Sequence, residues 1–132
     1  MICVTFSNKF ILTGCKDLAM RQYQLSNKFS LFHTYPEAHA EPITISTASN
    51  DGLYIFTTST DLVLKQWALV SGVMIKDYGR VDEVFQITCM DVGNKGRWLF
   101  TGLSDGMLVQ WSIPKRVRYR DYGRIHSFTL NC

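Results

Sequence analysis

Three histidines, four cysteines and eleven acidic side chains are the groups in this 132-residue chain that could carry proton transfer, metal binding or nucleophilic attack. Each chemistry needs a spacing. His33, His39 and His126 form no H-x-x-x-H pair, and Cys3, Cys15, Cys89 and Cys132 form no C-x-x-C pair of the kind that closes round zinc. Nucleophile-elbow and phosphate-cradling glycine motifs are missing as well. The expectation is a chain that is not an enzyme, with no cofactor, no metal and no small-molecule substrate.

The elements that hold these residues must come from a chain with 46% apolar, 13% aromatic and 19% charged residues, enough hydrophobic mass for one core. At roughly 100–200 residues per domain, one domain is expected and a TIM barrel is excluded. The net charge of +3 is too small to imply a polyanionic partner by itself. The opening M-I-C-V-T-F-S-N-K-F-I-L lacks a basic n-region, and no apolar run reaches the roughly 18 residues of a membrane span. Free thiols and no secretory signal are therefore expected, which fits a cytoplasmic protein.

Internal repetition decides the architecture. Asp17, Asp61 and Asp105 recur at a step of 44 residues, as do Gln22, Gln66 and Gln110, and Tyr23, Trp67 and Trp111. Residues 43–86 laid over 87–130 without a gap match at 15 of 44 positions, including the run D-Y-G-R at 77–80 and 121–124. The first unit is the least regular and lacks that run. Within unit two, β-prone segments separated by turn signals predict strands at 43–49, 53–59, 62–68 and 73–78, with counterparts 44 residues on. A four-stranded sheet with two apolar faces cannot bury both alone, so each unit must stack on the next, and radial stacking gives a propeller.

These units resemble the WD-repeat β-propeller family, most clearly in an Asp before the third strand followed six residues later by an aromatic: Asp17/Tyr23, Asp61/Trp67, Asp105/Trp111. The resemblance implies an all-β fold of three four-stranded antiparallel blades, at about 2–35, 43–79 and 87–123, forming an incomplete ring. Residues 1–132 make one partial propeller domain, and 124–132 run toward a next blade. It also implies a hydrogen-bonded pin in each blade, supplied by His39, Thr57, Asp61 and Trp67 in unit two and by Thr101, Asp105 and Trp111 in unit three. Glu83 stands at the place of His39 there, and Ala68 and Ser112 replace the usual Asp after Trp.

Two other recurrences remain. The glutamines face away from the third-strand aromatics and are expected to bond the backbone of a neighbouring blade. D-Y-G-R is expected at the end of the fourth strand, its glycine allowing the turn, with Asp77 and Arg80, or Asp121 and Arg124, able to pair. Tyr78, Arg80, Tyr122 and Arg124 are also candidate partner contacts, since Tyr and Arg anchor interfaces. K-R-V-R-Y-R-D-Y-G-R at 115–124 carries five basic residues and one acid. Strand alternation predicts that Arg116, Arg118 and Arg120 point one way, either guarding a sheet edge or meeting an acidic partner, nucleic acid or an anionic membrane.

Propellers generally have about 4–8 blades, so three leave two open faces. The remaining blades, or a second copy, must close the ring. The family resemblance implies a non-catalytic scaffold for protein–protein interaction, with contact positions at His39, Glu41, Asp82, Glu83, Lys16, Thr60 and Ser104. Alternatives are a regulatory or targeting module of a larger enzyme, and nucleic-acid or anionic-lipid binding through 115–124.

Overall fold

A computed structural model describes residues 3–6, 9–26, 28–93 and 95–127, and all regular elements among them are strands. Unit one contains β1 (Cys3–Phe6), β2 (Phe10–Gly14), β3 (Met20–Gln24) and β4 (Ser30–Tyr35). Unit two contains β5 (Ile43–Ala48), β6 (Tyr54–Ser59), β7 (Val63–Ala68) and β8 (Met74–Arg80). Unit three contains β9 (Ile87–Gly93), β10 (Trp98–Leu103), β11 (Met107–Ser112) and β12 (Val117–Arg124). Each unit is one antiparallel sheet whose strands pair in chain order. First strands adjoin one another in turn, β1 beside β5 and β5 beside β9, while β4, β8 and β12 form the far edges. Of the expected connection at 124–132, residues 128–132 lie outside the described residues.

Burial shows why the units stack. In an antiparallel pair, residues directly opposite share a face, and Ile55 faces Trp67 while Phe56 faces Gln66. Ile55 and Phe56 are neighbours in sequence, point to opposite faces, and are both fully buried. Ile55 and Trp67 pack with Leu12, Met20 and Tyr35 of the first sheet. Phe56 and Leu64 pack with Leu99, Val109 and Trp111 of the third. Two cores therefore serve three sheets, one in each gap. Burying a side chain the size of Phe56 contributes about 1.5–3 kcal/mol, which an isolated sheet could obtain on neither side.

The outer sheets show the converse. At the positions of Ile55 and Phe56, the first sheet buries Leu12 but leaves Ile11 partly exposed. The third buries Leu99 and leaves Phe100 partly exposed. At both gaps the face bearing the third-strand aromatic looks toward the preceding unit, and the glutamine face of that preceding unit looks back at it.

Both copies of D-Y-G-R lie at the end of the fourth strand as expected, closing β8 and β12; what needs correction is the part given to the glycine. Val63 pairs with Arg80 and Lys65 with Asp77, so Tyr78 and Gly79 together oppose one residue, and the same bulge recurs between Met107/Arg124 and Val109/Asp121. Gly79 and Gly123 have φ of +71° and +68°, the left-handed geometry a glycine bulge requires. Glycine here bends a strand and does not make a turn.

Candidate interaction site and the joints beneath it

The residues expected as a blade pin come together in part. Thr57 on β6 sits between two rings: Trp67 Nε1 donates to its Oγ1 at 2.8 Å, and His39 Nε2 lies 2.8 Å from the same oxygen. The hydroxyl oxygen can accept from both rings, or accept from Trp67 and donate to His39 Nε2, according to the imidazole tautomer. Burial, with Lys65 adding to it, holds the His39 imidazole neutral by lowering its pKa to about 4, against the opposing pull of Asp61 and Asp77. In unit three Trp111 Nε1 donates to Thr101 Oγ1 at 3.0 Å, and Glu83 at the histidine place is exposed.

Asp61 stands outside this set. Its Oδ1 is 3.9 Å from His39 Nδ1, beyond hydrogen-bond reach, and instead accepts the Ser59 hydroxyl and the Val63 backbone N–H, the latter at 2.9 Å. Asp17 accepts Ala19 N–H at 3.2 Å and Asp105 accepts Met107 N–H at 3.0 Å. The shared role of the recurring aspartates is thus a side-chain bond two residues on, which locks the turn into the third strand. The residue after each has a left-handed backbone: Leu18 at +65°, Leu62 at +67° and Gly106 at +87°.

The glutamines receive a partner that sequence reasoning missed. Tyr35, Tyr78 and Tyr122 each donate a phenolic O–H to the Oε1 of Gln22, Gln66 and Gln110, at 2.6, 2.8 and 2.7 Å. The expected bond to a neighbouring unit's backbone is formed by Gln22, whose Nε2 donates to Leu69 O at 2.9 Å. The tyrosine rings cross the gap as well. Tyr35 meets Trp67 edge-on at 5.5 Å and 76°, and Tyr78 meets Trp111 at 5.3 Å and 73°. Burial raises the pKa of Tyr35 and Tyr78 to about 12 and keeps both phenols as donors. Tyr78 is therefore committed to a joint between sheets. Tyr122 occupies the same place with no following sheet among the described residues and is 43% exposed.

The basic segment is not one face. Trp111 pairs with Arg118 and Gln110 with Arg120, so a bulge at Tyr119 puts these arginines on opposite sides of the sheet. Arg116 lies before the strand, in a turn, with φ of +57°. The alternation expected for Arg116, Arg118 and Arg120 fails because it assumes an unbroken ladder. Arg118 bonds Asp121 at 2.7 Å and Val81 O at 2.8 Å and lies over Trp111. Arg124 bonds Asp105 at 3.1 Å and lies over Phe85, so Asp121 and Arg124, expected to pair with each other, each take a different partner. Asp77 accepts Gly79 N–H at 2.8 Å. Arg120 reaches over Tyr122, and Arg80 is exposed.

Of the expected contact positions, Lys16, Thr60, Glu41 and Glu83 are exposed. Ser104 and Asp82 are half-buried, and the Asp82 carboxylate, its pKa lowered mainly by the N–H groups of Phe85 and Val84, closes its own loop. His39 is buried to 1% exposure, so it presents nothing to a partner. Cys15 and Cys89 are free and half-buried. No group of three or more potential metal ligands occurs among the described residues.

Comparison with known proteins agrees with this geometry. Residues 82–112 match the family described as WD domain, G-beta repeat, a segment that runs from the connection before β9 to the end of β11. None of the curated proteins compared with the chain matches it. Among solved structures, the crystal structure of the computationally designed Ika4 protein superposes with a TM-score of 0.79 at 18% identity, covering 99% of this chain and 77% of that one. That neighbour is a designed β-propeller. In all, 961 chains of solved structures match, so the fold is shared too widely to name a function.

Proposed function

We propose, from the premise that residues 82–112 are a WD repeat, that the chain is a non-catalytic scaffold for protein–protein interaction whose three sheets are consecutive blades of an incomplete propeller ring. WD repeats in general mediate protein–protein interaction. The observation that carries the reading is the division of polar groups. The recurring polar chemistry of the repeat, Thr57 with Trp67 and His39, Thr101 with Trp111, and each Tyr–Gln pair, is spent inside the units, where it fixes the rings that pack across the gaps. What the surface offers is exposed loop and edge side chains on a rigid frame: Lys16, Thr60, Glu41, Glu83, Arg116 and Arg120. Incompleteness is supported by the exposure of Ile11 and Phe100 at positions the middle sheet buries fully. The free thiols Cys15 and Cys89 fit a reducing, cytoplasmic setting.

The test is capture of partners by the tagged chain after nuclease treatment, with variants carrying Lys16→Glu and Thr60→Lys, and Arg116→Ala with Arg120→Ala. A partner that survives nuclease and is lost on one set of surface substitutions supports the scaffold. Capture that vanishes with nuclease, and binding to RNA or to phosphatidylserine vesicles that falls steeply with salt, would favour the nucleic-acid or lipid reading instead. Splitting of the arginines between two faces counts against that alternative. A catalytic domain in the same reading frame would make the chain a regulatory or targeting module of an enzyme.

A further inference from the structure

We infer that the 132-residue chain pairs head to tail with a second copy of itself, the glutamine face of the third sheet docking on the aromatic face of the first. The inference deepens the incomplete-ring reading and rests on it.

The two internal joints define what each face accepts. In both, a tyrosine on the glutamine face, buried at the first joint and partly buried at the second, meets an aromatic of the next sheet edge-on, Tyr35 with Trp67 and Tyr78 with Trp111. In both, apolar residues at matched positions meet in the gap, Leu12 with Ile55 and Phe56 with Leu99. At the first joint a glutamine amide also reaches Leu69 O in the next unit. The chain carries both unused halves of this joint. The third sheet presents Phe100, Gln110 and Tyr122, the last already oriented by its 2.7 Å bond to Gln110. The first presents Ile11 opposite Tyr23, with Leu25 at the place of Leu69. Docked as the internal joints are, Tyr122 meets Tyr23 of the second copy, Phe100 meets Ile11, and the Gln110 amide is directed at Leu25.

Phe29 now lies flat on Tyr23, rings 5.1 Å apart and 2° from parallel, a geometry neither internal joint uses. It is 53% exposed and has a left-handed backbone, φ +58°, that a bulky residue adopts at a cost, so it is the side chain the incoming tyrosine displaces. Two copies give six blades, within the range of closed propellers, and the two-fold pair uses both open faces of each copy.

Sedimentation equilibrium on the full chain tests this, with Ile11→Lys, Phe100→Asp and the double variant. Both changes sit on partly exposed positions, and circular dichroism checks that the sheets persist. The expected result is twice 15.1 kDa for the chain, 15.1 kDa for each folded single variant, and a return to the doubled mass when the opposite charges face each other in the double variant. A folded 15.1 kDa species for the unaltered chain, a doubled mass indifferent to either single change, or open-ended assemblies would overturn the pairing. Loss of the pairing alone leaves the scaffold reading standing, since that is judged by partner capture.

Discussion

Tyr78 of the second sheet donates its hydroxyl to Gln66 at 2.8 Å and turns its ring edge to Trp111 of the third, 5.3 Å away at 73°. One side chain thus satisfies a buried amide in its own sheet and fills the gap to the next. Trp111 is itself fixed by Thr101, so the contact joins two separately anchored rings.

Removing only the hydroxyl separates these roles. Tyr78→Phe leaves the Gln66 carbonyl, on a residue 1% exposed, without its donor and is expected to cost about 1–2 kcal/mol in urea unfolding. Tyr122→Phe deletes the equivalent bond where no sheet follows among the described residues, and its cost in the Phe100→Asp background should be below about 0.5 kcal/mol. Equal costs at the two sites would mean that the neighbouring sheet adds nothing.

Acid should weaken the fold through His39. An unfolded histidine takes up its proton below about pH 6.5, whereas the buried ring resists it until about pH 4. The unfolded state therefore binds more protons between those values, and stability falls as pH drops through that window, by on the order of 3 kcal/mol in the limit. His39→Gln should flatten the profile between pH 6.5 and 4. An unchanged slope would place the titrating group elsewhere.

Alkali should act on the joints. Tyr35 and Tyr78 keep their protons to about pH 12 in the fold, but an unfolded tyrosine ionises near pH 10. Their contribution is complete below pH 10 and is lost between 10 and 12, on the order of 2 kcal/mol each. Phenolate absorbance followed with unfolding should show these two hydroxyls ionising only as the sheets separate. Early ionisation in the folded chain would contradict their burial.

How much of this was legible in the sequence depended on whether a residue kept the repeat's register. The 44-residue step located sheets and their two-sided burial because strand pairing follows the same period, and Thr57 with Trp67 was reachable by resemblance. Tyr35 was not, because the first unit spaces it 13 residues after Gln22 where Tyr78 and Tyr122 stand 12 after Gln66 and Gln110. An ungapped overlay cannot see such a shift. Arg118 and Arg120 were misplaced for a related reason: a bulge adds one residue, and one residue reverses every side chain beyond it. The aspartates recurred as expected, but their spacing alone does not distinguish a turn lock from a pin member.

That distinction is itself testable. If Asp61 serves the turn, Asp61→Asn keeps an oxygen for Val63 N–H and should cost less than about 0.5 kcal/mol, while Asp61→Ala costs about 1–2 kcal/mol. Thermal unfolding at neutral pH reads both. An Asn variant as damaged as the Ala variant would instead tie Asp61 to His39 through its charge.

The joints between sheets are tested most directly by a double-mutant cycle on Tyr78 and Trp111, using Tyr78→Leu, Trp111→Leu and the pair in denaturant unfolding. Edge-on aromatic contact predicts a coupling of about 0.5–1.5 kcal/mol between residues in different sheets, with none between Tyr122 and Trp111. Strict additivity of Tyr78 and Trp111 would contradict the account, since the sheets would then fold without leaning on one another.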